Sequence, residues 1–239
     1  MSGGERVLHL IPVGLGEADV DVWLPEAVRA LAGRLDTYIA ENAKTARAFL
    51  KQIGTTRPLQ DITIHVLSPR TEPAQIVAWL KAVPADGEIG LVSEAGCPAV
   101  ADPGALAVQA AHDMNMTVRP WVGPSSILLG LMASGLSGQS FAFHGYAPIE
   151  TGERSKTLKA WEAQSARGKQ TQMLIETPYR NTAMFGTLLT ALRGDTRLCV
   201  ARSLTTAQEY VMTRTVAQWK QHKAPDLDKQ PTLFLFLAR

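Results

Sequence analysis

Two cysteines in 239 residues, Cys97 and Cys199, exclude a disulfide framework and a cysteine-built metal site. They point to a reducing, cytoplasmic setting. Histidine is also scarce, five in all. His65 sits between apolar neighbours with no partner at metal-ligand spacing, so no metal is expected. No apolar run reaches the roughly 20 residues of a membrane span, and no membrane partner is expected. Glu5 and Arg6 precede a short apolar run, which argues against a signal peptide. Neither sign of charge dominates. Lys and Arg number 24 and Asp and Glu 22, giving a net charge of +2 and a pI near 8.6. That balance permits nucleic acid as a partner without requiring it. Hydrophobic residues make up 46% and mean hydropathy is −0.01, as expected of a soluble globular protein with a full core. The length suits one large or two small domains.

One stretch stands out. Ile89, Leu91 and Val92 read as a buried strand, and an alanine-rich helical pattern begins at Leu106. Between them, Glu94–Gly104 holds two Gly, two Pro and two acids in eleven residues. Gly96 and Gly104 let backbone approach a ligand, while Pro98 and Pro103 stiffen the turn. In open α/β sheets, ligands bind in the loops at the carboxyl ends of strands. This composition is more elaborate than a plain connection needs, so it is a candidate ligand loop.

Elsewhere, strands are expected at Val7–Pro12, Thr37–Ala40, Ile62–Leu67 and Met116–Pro120. Helices are expected at Trp23–Gly33, with Pro25 in the first turn, and at Thr45–Ile53, Ala74–Leu80 and Ala105–His112. Strands alternating with helices predict a parallel α/β domain over residues 1–120. Gly14-Leu15-Gly16 after the first strand has the start of a dinucleotide loop. The third Gly is missing, however, and Asp19 opens an acidic patch unsuited to pyrophosphate. A second domain, 121–239, opens with Gly123-Pro124-Ser125-Ser126 before an apolar helix, Ile127–Ala133. Ser125 or Ser126 can cap that helix, whose N-terminus favours a carboxylate. Strands are expected at Phe141–Pro148, Thr171–Ile175, Arg197–Arg202 and Thr232–Leu237. Arg154, Lys156 and Lys159 mark an exposed helix start or a phosphate contact.

Ser93-Glu94-Ala95-Gly96-Cys97-Pro98 and Ala101-Asp102-Pro103-Gly104 resemble the S-D-A-G-T-P…S-D-P-G loop of tetrapyrrole-methylase-like, S-adenosylmethionine-dependent methyltransferases. Within these the likeness is closest to the ribosomal RNA (cytidine 2′-O) branch. It continues in Pro12–Asp19 (P-I-G-N-L-x-D), Ala40–Lys44 (A-E-D-T-R), Gly123–Ser126 (G-P-C/S-A/S), Ala133–Leu136 (A-A-G-L) and Phe141–Pro148 (F-x-x-x-G-F-x-P). Glu176-Thr177-Pro178-Tyr179-Arg180-Asn181 matches F-Y-E-S-x-H-R at its Glu and Arg. Leu204–Glu209 resembles L-T-K-x-x-E, with Ser203 where that branch has Glu. Gln230 and Pro231 stand where it has G-E. That branch also carries a further helical segment after the last strand, and the sequence ends at Arg239.

The resemblance implies two α/β domains in series, with S-adenosylmethionine in the cleft between them. It implies cofactor contacts at Pro12, Gly14, Glu94, Ala95, Gly96, Cys97, Val100, Asp102, Ser125, Ser126, Ile127, Ile175 and Thr232. It marks Glu41, Lys44, Glu176 and Arg180 as substrate-side candidates for catalysis. The implied acceptor is ribosomal RNA or the small ribosomal subunit, at a ribose 2′-oxygen, and the implied assembly is a homodimer. The departures at Asn42, Lys44, Tyr179 and Gln230 leave two alternatives open. One is methyl transfer to a tetrapyrrole or other small molecule, and the other is a non-catalytic S-adenosylmethionine-binding module.

Overall fold

The computed structural model describes residues 5–239, in two compact α/β units divided between Ser125 and Ser126. The first runs β1 (Val7–Leu10), α1 (Val20–Trp23), α2 (Glu26–Arg34), β2 (Thr37–Ala40), α3 (Ala43–Ile53), β3 (Thr63–Val66), α4 (Pro73–Ala82), β4 (Glu88–Val92), α5 (Ala105–Asp113) and β5 (Thr117–Pro120). Its five strands are all parallel, in the order β3-β2-β4-β1-β5. Alternation along the strands splits the core in two. Tyr38, Ala40 and Val92 pack with α2 and α3, whereas Leu8, Ile39, Ile89 and Leu91 pack with α4 and α5. Both faces of the sheet are thus covered, which is why its central strands read as apolar runs.

The helix expected over Trp23–Gly33 is two helices. Leu24 is extended (φ −121°, ψ 117°) and Pro25 occupies the N-cap of α2. A residue before proline is driven out of the helical region, so the break falls there. Trp121–Ser125, expected to open the second half, packs with the first unit. The Trp121 amide donates to the Leu10 carbonyl (3.0 Å), and Gly123 lies against Pro12.

The second unit runs α6 (Ser126–Ser134), β6 (Phe141–Tyr146), α7 (Thr151–Gly168), β7 (Thr171–Ile175), α8 (Asn181–Ala191), β8 (Arg197–Arg202), β9 (Tyr210–Thr215), α9 (Val216–Trp219) and β10 (Thr232–Leu237). Its sheet is mixed, in the order β6-β7-β10-β8-β9, with β6 parallel to β7 and the other pairs antiparallel. β10 is central, with α6 and α7 packing against it, so Thr232-Leu-Phe-Leu-Phe is buried throughout. The edge strand β9 escaped the sequence reading because every residue in it is half-buried, leaving no alternation to detect.

A buried histidine ties three strands of the first sheet. His9 on β1 is 1% exposed, and its Nδ1 accepts from Trp121 Nε1 (3.0 Å). That acceptor role puts the proton on Nε2, which donates to Glu88 Oε1 (3.0 Å). Arg34 holds the same carboxylate. Burial keeps the His9 imidazole below its ordinary value, against the opposing hydrogen bond and charge of Glu88. The neutral form is favoured in the folded state, so this contribution to stability is present above the ordinary histidine range and lost as pH falls through the lowered value. Melting temperatures between about pH 8 and about pH 5 should therefore fall more steeply for the unaltered chain than for His9→Gln. Gln keeps one donor and one acceptor and does not titrate. Parallel slopes would refute the assignment.

Candidate cofactor and substrate site

The loops after β1 and β4, neighbours in the sheet, are joined beyond their strands. Val13 and Gly96 exchange both backbone hydrogen bonds (3.0 and 3.1 Å). Gly96 has φ +76° there, a conformation natural to glycine. Ser93 Oγ lies within hydrogen-bond reach of the Ala95 and Gly96 carbonyls (3.2 and 3.3 Å), and Cys97 Sγ donates to the Pro124 carbonyl (3.4 Å). Burial raises the Cys97 thiol above its ordinary value. A β-carbon on Gly123 would stand 2.3 Å from Pro12 Cβ, so only glycine lets the 121–125 turn lie against Pro12. Pro12, Gly96, Cys97 and the turn ending at Ser125 thus form one connected edge. Gly14 lies beside the Trp23 ring.

Gly96→Val should weaken cofactor-analogue binding by roughly 5- to 150-fold, through backbone strain and not through a filled space. An added Cβ would meet only Leu15 Cδ2 at 3.3 Å and the Pro124 carbonyl at 3.6 Å. The obstacle is φ, since a β-branched residue at positive φ is a conformational outlier costing about 1–3 kcal/mol. Calorimetric titration with S-adenosylhomocysteine should show that loss of affinity. Unchanged affinity would contradict the requirement.

Asp102 organises the far side of the loop. Its Oδ1 accepts from the Ala99 amide (2.9 Å) and the Gly104 amide (2.6 Å), and its Oδ2 approaches the Ala99 amide at 3.0 Å. Ala99 and Ala101 both adopt left-handed φ, 66° and 63°. Sequence gave no warning of these, because alanine is not a residue that marks such turns. Glu94, Ala95 and Val100 stand exposed on the loop. Burial raises the Asp102 carboxyl above its ordinary value, opposed by its amide partners.

At the end of β2, Glu41 reaches the same loop, with its Oε1 accepting from the Glu94 amide at 3.2 Å. Burial raises this carboxyl, the Glu94 amide opposes that, and the neighbouring Asp102 and Glu94 carboxylates add to the rise. Asn42 caps α3 by accepting from the Lys44 amide (2.9 Å). Lys44 itself is exposed in the first turn.

The remaining candidates lie in the second unit. Ser126 and Ile127 open α6, Ile175 ends β7 and Thr232 begins β10. Glu176 is buried, with Oε2 3.0 Å from Arg180 Nη2 and Oε1 accepting from the Thr177 amide (2.7 Å). Arg180 itself keeps 30% of its side chain exposed, so the pair is half-buried. Beside it, the Gln230 carbonyl accepts from Asn181 Nδ2 (2.6 Å) and Thr232 Oγ1 (2.9 Å), while Gln230 Oε1 accepts from Ser203 Oγ (2.8 Å). The start of α8, the end of β8 and the start of β10 are tied through Gln230, and Ser203 sits at φ 50°. Arg154, read from sequence as exposed, is buried. It faces the Ile149 carbonyl and Thr151 Oγ1, both at 3.4 Å.

No family model matches the chain. It is 30% identical over 221 residues to the ribosomal RNA small subunit methyltransferase I of Mesorhizobium japonicum, covering 92% of this chain and 71% of that protein. The chain belongs to the ribosomal RNA small subunit methyltransferase I family. The protein of that name from Xylella fastidiosa is 30% identical over 235 residues, covering 97% of this chain and 81% of that one. The Neisseria meningitidis serogroup A protein is 30% identical over 227 residues, 94% of this chain and 72% of that one. Among solved structures, the methyltransferase CobJ shares the fold, with a TM-score of 0.61 at 18% identity over 98% of this chain and 94% of that one. So does the uroporphyrin-III-C-methyltransferase of Thermus thermophilus, with a TM-score of 0.52 at 15% identity over 98% and 92%. Family membership makes the chain a methyltransferase and sets aside the non-catalytic binding module.

Sequence reading missed Val13, which is half of the bridge to Gly96 yet reads as the end of an apolar run. In the second unit, Gln230 stands out in sequence only as a departure from the family pattern, and its ties to Asn181 and Ser203 are not foreseen, because those partners are distant in sequence.

Proposed function

We propose that the chain transfers the methyl group of S-adenosylmethionine to ribosomal RNA of the small subunit, at a ribose hydroxyl. The observation that carries this reading is the likeness to ribosomal RNA methyltransferases over 92% of the chain. The residues present fit the cofactor. The Gly96 turn and the exposed Glu94-Ala95 backbone offer a close approach. Trp23 Nε1, beside Gly14, is a buried donor with no partner among the described residues. The exposed carboxylate of Glu94 suits a ligand bearing a positive group. Pro12, Gly14, Glu94–Cys97, Val100, Asp102 and Ser125 would hold it from the first unit. Ser126, Ile127, Ile175 and Thr232 of the second unit are the further contacts that the family resemblance implies. S-adenosylmethionine, when bound, supplies a methyl already activated on a sulfonium sulfur.

The chain's own part is then alignment and proton removal. Aligning two reactants is worth roughly 7–11 kcal/mol of a barrier. A ribose hydroxyl keeps its proton at neutral pH, so a base is needed as oxygen attacks carbon. Glu41 is the base in this reading, and the hydroxyl proton passes to its carboxylate. Lys44, Glu176 and Arg180 serve the acceptor side. An acceptor in the ribosome implies a cytoplasmic protein, and the family likeness supports a homodimer. Light scattering at micromolar concentration should give twice the chain mass, and a monomer mass would contradict the assembly. The functional test is tritiated-methyl transfer to small ribosomal subunits from a strain lacking this protein. Label in ribosomal RNA at a ribose supports the reading. Label absent there, but present with a tetrapyrrole acceptor, overturns it.

A further inference from the structure

Charge is divided unequally along the chain. Residues 1–125 carry ten Lys and Arg against fourteen Asp and Glu, whereas residues 126–239 carry fourteen against eight. An asymmetry of this kind between halves marks the basic half for a polyanion. Within that half, α7 is the longest helix among the described residues, eighteen residues. Arg154, Leu158, Glu162 and Ser165 form its buried side. Lys156, Lys159 and Arg167 lie on the opposite side, all exposed, with the small residues Ala160 and Ala163 exposed between them. At 1.5 Å per residue, Lys156 to Arg167 spans about 16 Å along one face.

The acids of this helix do not neutralise that face. Glu162 is buried and accepts from the Arg193 amide (2.8 Å) and Thr196 Oγ1 (2.5 Å). Glu150 caps the helix through the Gly152 and Glu153 amides. Glu150 and Glu153 are exposed at the N-terminal end of the helix, and none of the three cations takes part in an ion pair among the described residues. Helix-dipole stabilisation accounts for Arg167 in the last turn but not for Lys156 and Lys159 nearer the N-terminus. Membrane contact is disfavoured, since the stripe lacks the Trp, Phe or Leu anchors of an interfacial helix.

We propose that the outward face of α7, through Lys156, Lys159 and Arg167, docks the phosphate backbone of the acceptor RNA. The proposal rests on the ribosomal RNA reading above. It replaces Arg154, which is buried, with Arg167 three turns from Lys156. The small alanines leave room for the backbone to lie close, and the contact carries affinity without base specificity.

The test is RNA binding by the full chain and by Lys156→Ala/Lys159→Ala/Arg167→Ala. The probe is small-subunit ribosomal RNA across a salt series. Each phosphate contact contributes about 0.7–0.9 to the slope of log affinity against log salt. The triple variant should therefore show a slope smaller by about two to three. Between 50 and 200 mM salt, the unaltered chain should lose roughly 20- to 40-fold more affinity than the variant, as that slope difference implies. Single variants should each lower the slope by a little under one. S-adenosylhomocysteine binding and the melting temperature should not change. A variant slope equal to that of a salt-sensitive parent overturns the α7 proposal and leaves the RNA reading intact. A parent with no salt-dependent RNA binding overturns the RNA reading itself. Binding to phosphatidylserine vesicles but not to RNA, lost in the triple variant, also overturns the proposal.

Discussion

Asp102→Ala is expected to lower the affinity for S-adenosylhomocysteine by more than about a hundredfold, a change of roughly 2.7 kcal/mol. Two backbone amides, those of Ala99 and Gly104, end on this carboxylate. Leaving a buried donor unpaired costs about 1–3 kcal/mol. The loop also stores strain, because Ala99 and Ala101 sit at φ 66° and 63°, a state worth about 1–3 kcal/mol per residue that persists only when its surroundings enforce it. Without the carboxylate the loop has both a reason and the freedom to relax. Its relaxed form no longer presents Glu94–Val100 to the ligand. Asp102→Asn separates shape from charge. Its single carbonyl oxygen can occupy the Oδ1 position, where both amides already converge, so its loss should be intermediate. Titration calorimetry checks the affinities, and a melting scan checks that the first unit remains folded. An Asp102→Ala protein that binds the analogue as tightly as its parent would show that the loop is held by something else.

Much of this was legible in the sequence, and the reasons differ by element. The Glu94–Gly104 loop was readable because glycines, prolines and acids concentrate there between an apolar run and a helix pattern. The parallel sheet of the first unit followed from strands alternating with helices. Its strand order did not, since nothing local says that β4 lies between β2 and β1. The second unit was harder. β9 lacks alternation, and α8 (Asn181–Ala191) carries apolar residues around most of its surface, so its period is faint. Arg154 shows the limit of charge reading. A run of basic residues does not reveal which of them folds back onto its own helix start. The Gln230 tie was invisible because Asn181 at the start of α8 and Ser203 after β8 meet it from segments 49 and 27 residues away. Family likeness supplied candidate roles for Glu41 and Glu176 alike. Only the structure separates a carboxylate paired with Arg180 from one bonded to the Glu94 amide with no cation partner among the described residues.

That separation makes Glu41→Gln the most telling substitution for catalysis. Gln retains an oxygen for the Glu94 amide, so the loop contact survives while the proton acceptor is removed. General-base catalysis contributes roughly a hundredfold to ten-thousandfold, and kcat for methyl transfer to small ribosomal subunits should fall by that order. S-adenosylhomocysteine affinity should stay nearly constant. The pH profile gives an independent reading. Burial, followed by the Asp102 and Glu94 carboxylates, raises the Glu41 carboxyl above its ordinary value. The base is lost on protonation, so the acid limb of kcat should lie above the usual carboxylate range and vanish in Glu41→Gln. Stability runs the other way. A carboxyl raised in the folded state contributes stability below its ordinary value and loses it as pH rises through the raised one. Glu41→Gln should therefore be no less stable than its parent at neutral pH, the pattern of a residue kept for chemistry at some expense in stability. A Glu41→Gln enzyme with full kcat, or with the same acid limb as its parent, would falsify the assignment and shift the search for a base to the second unit.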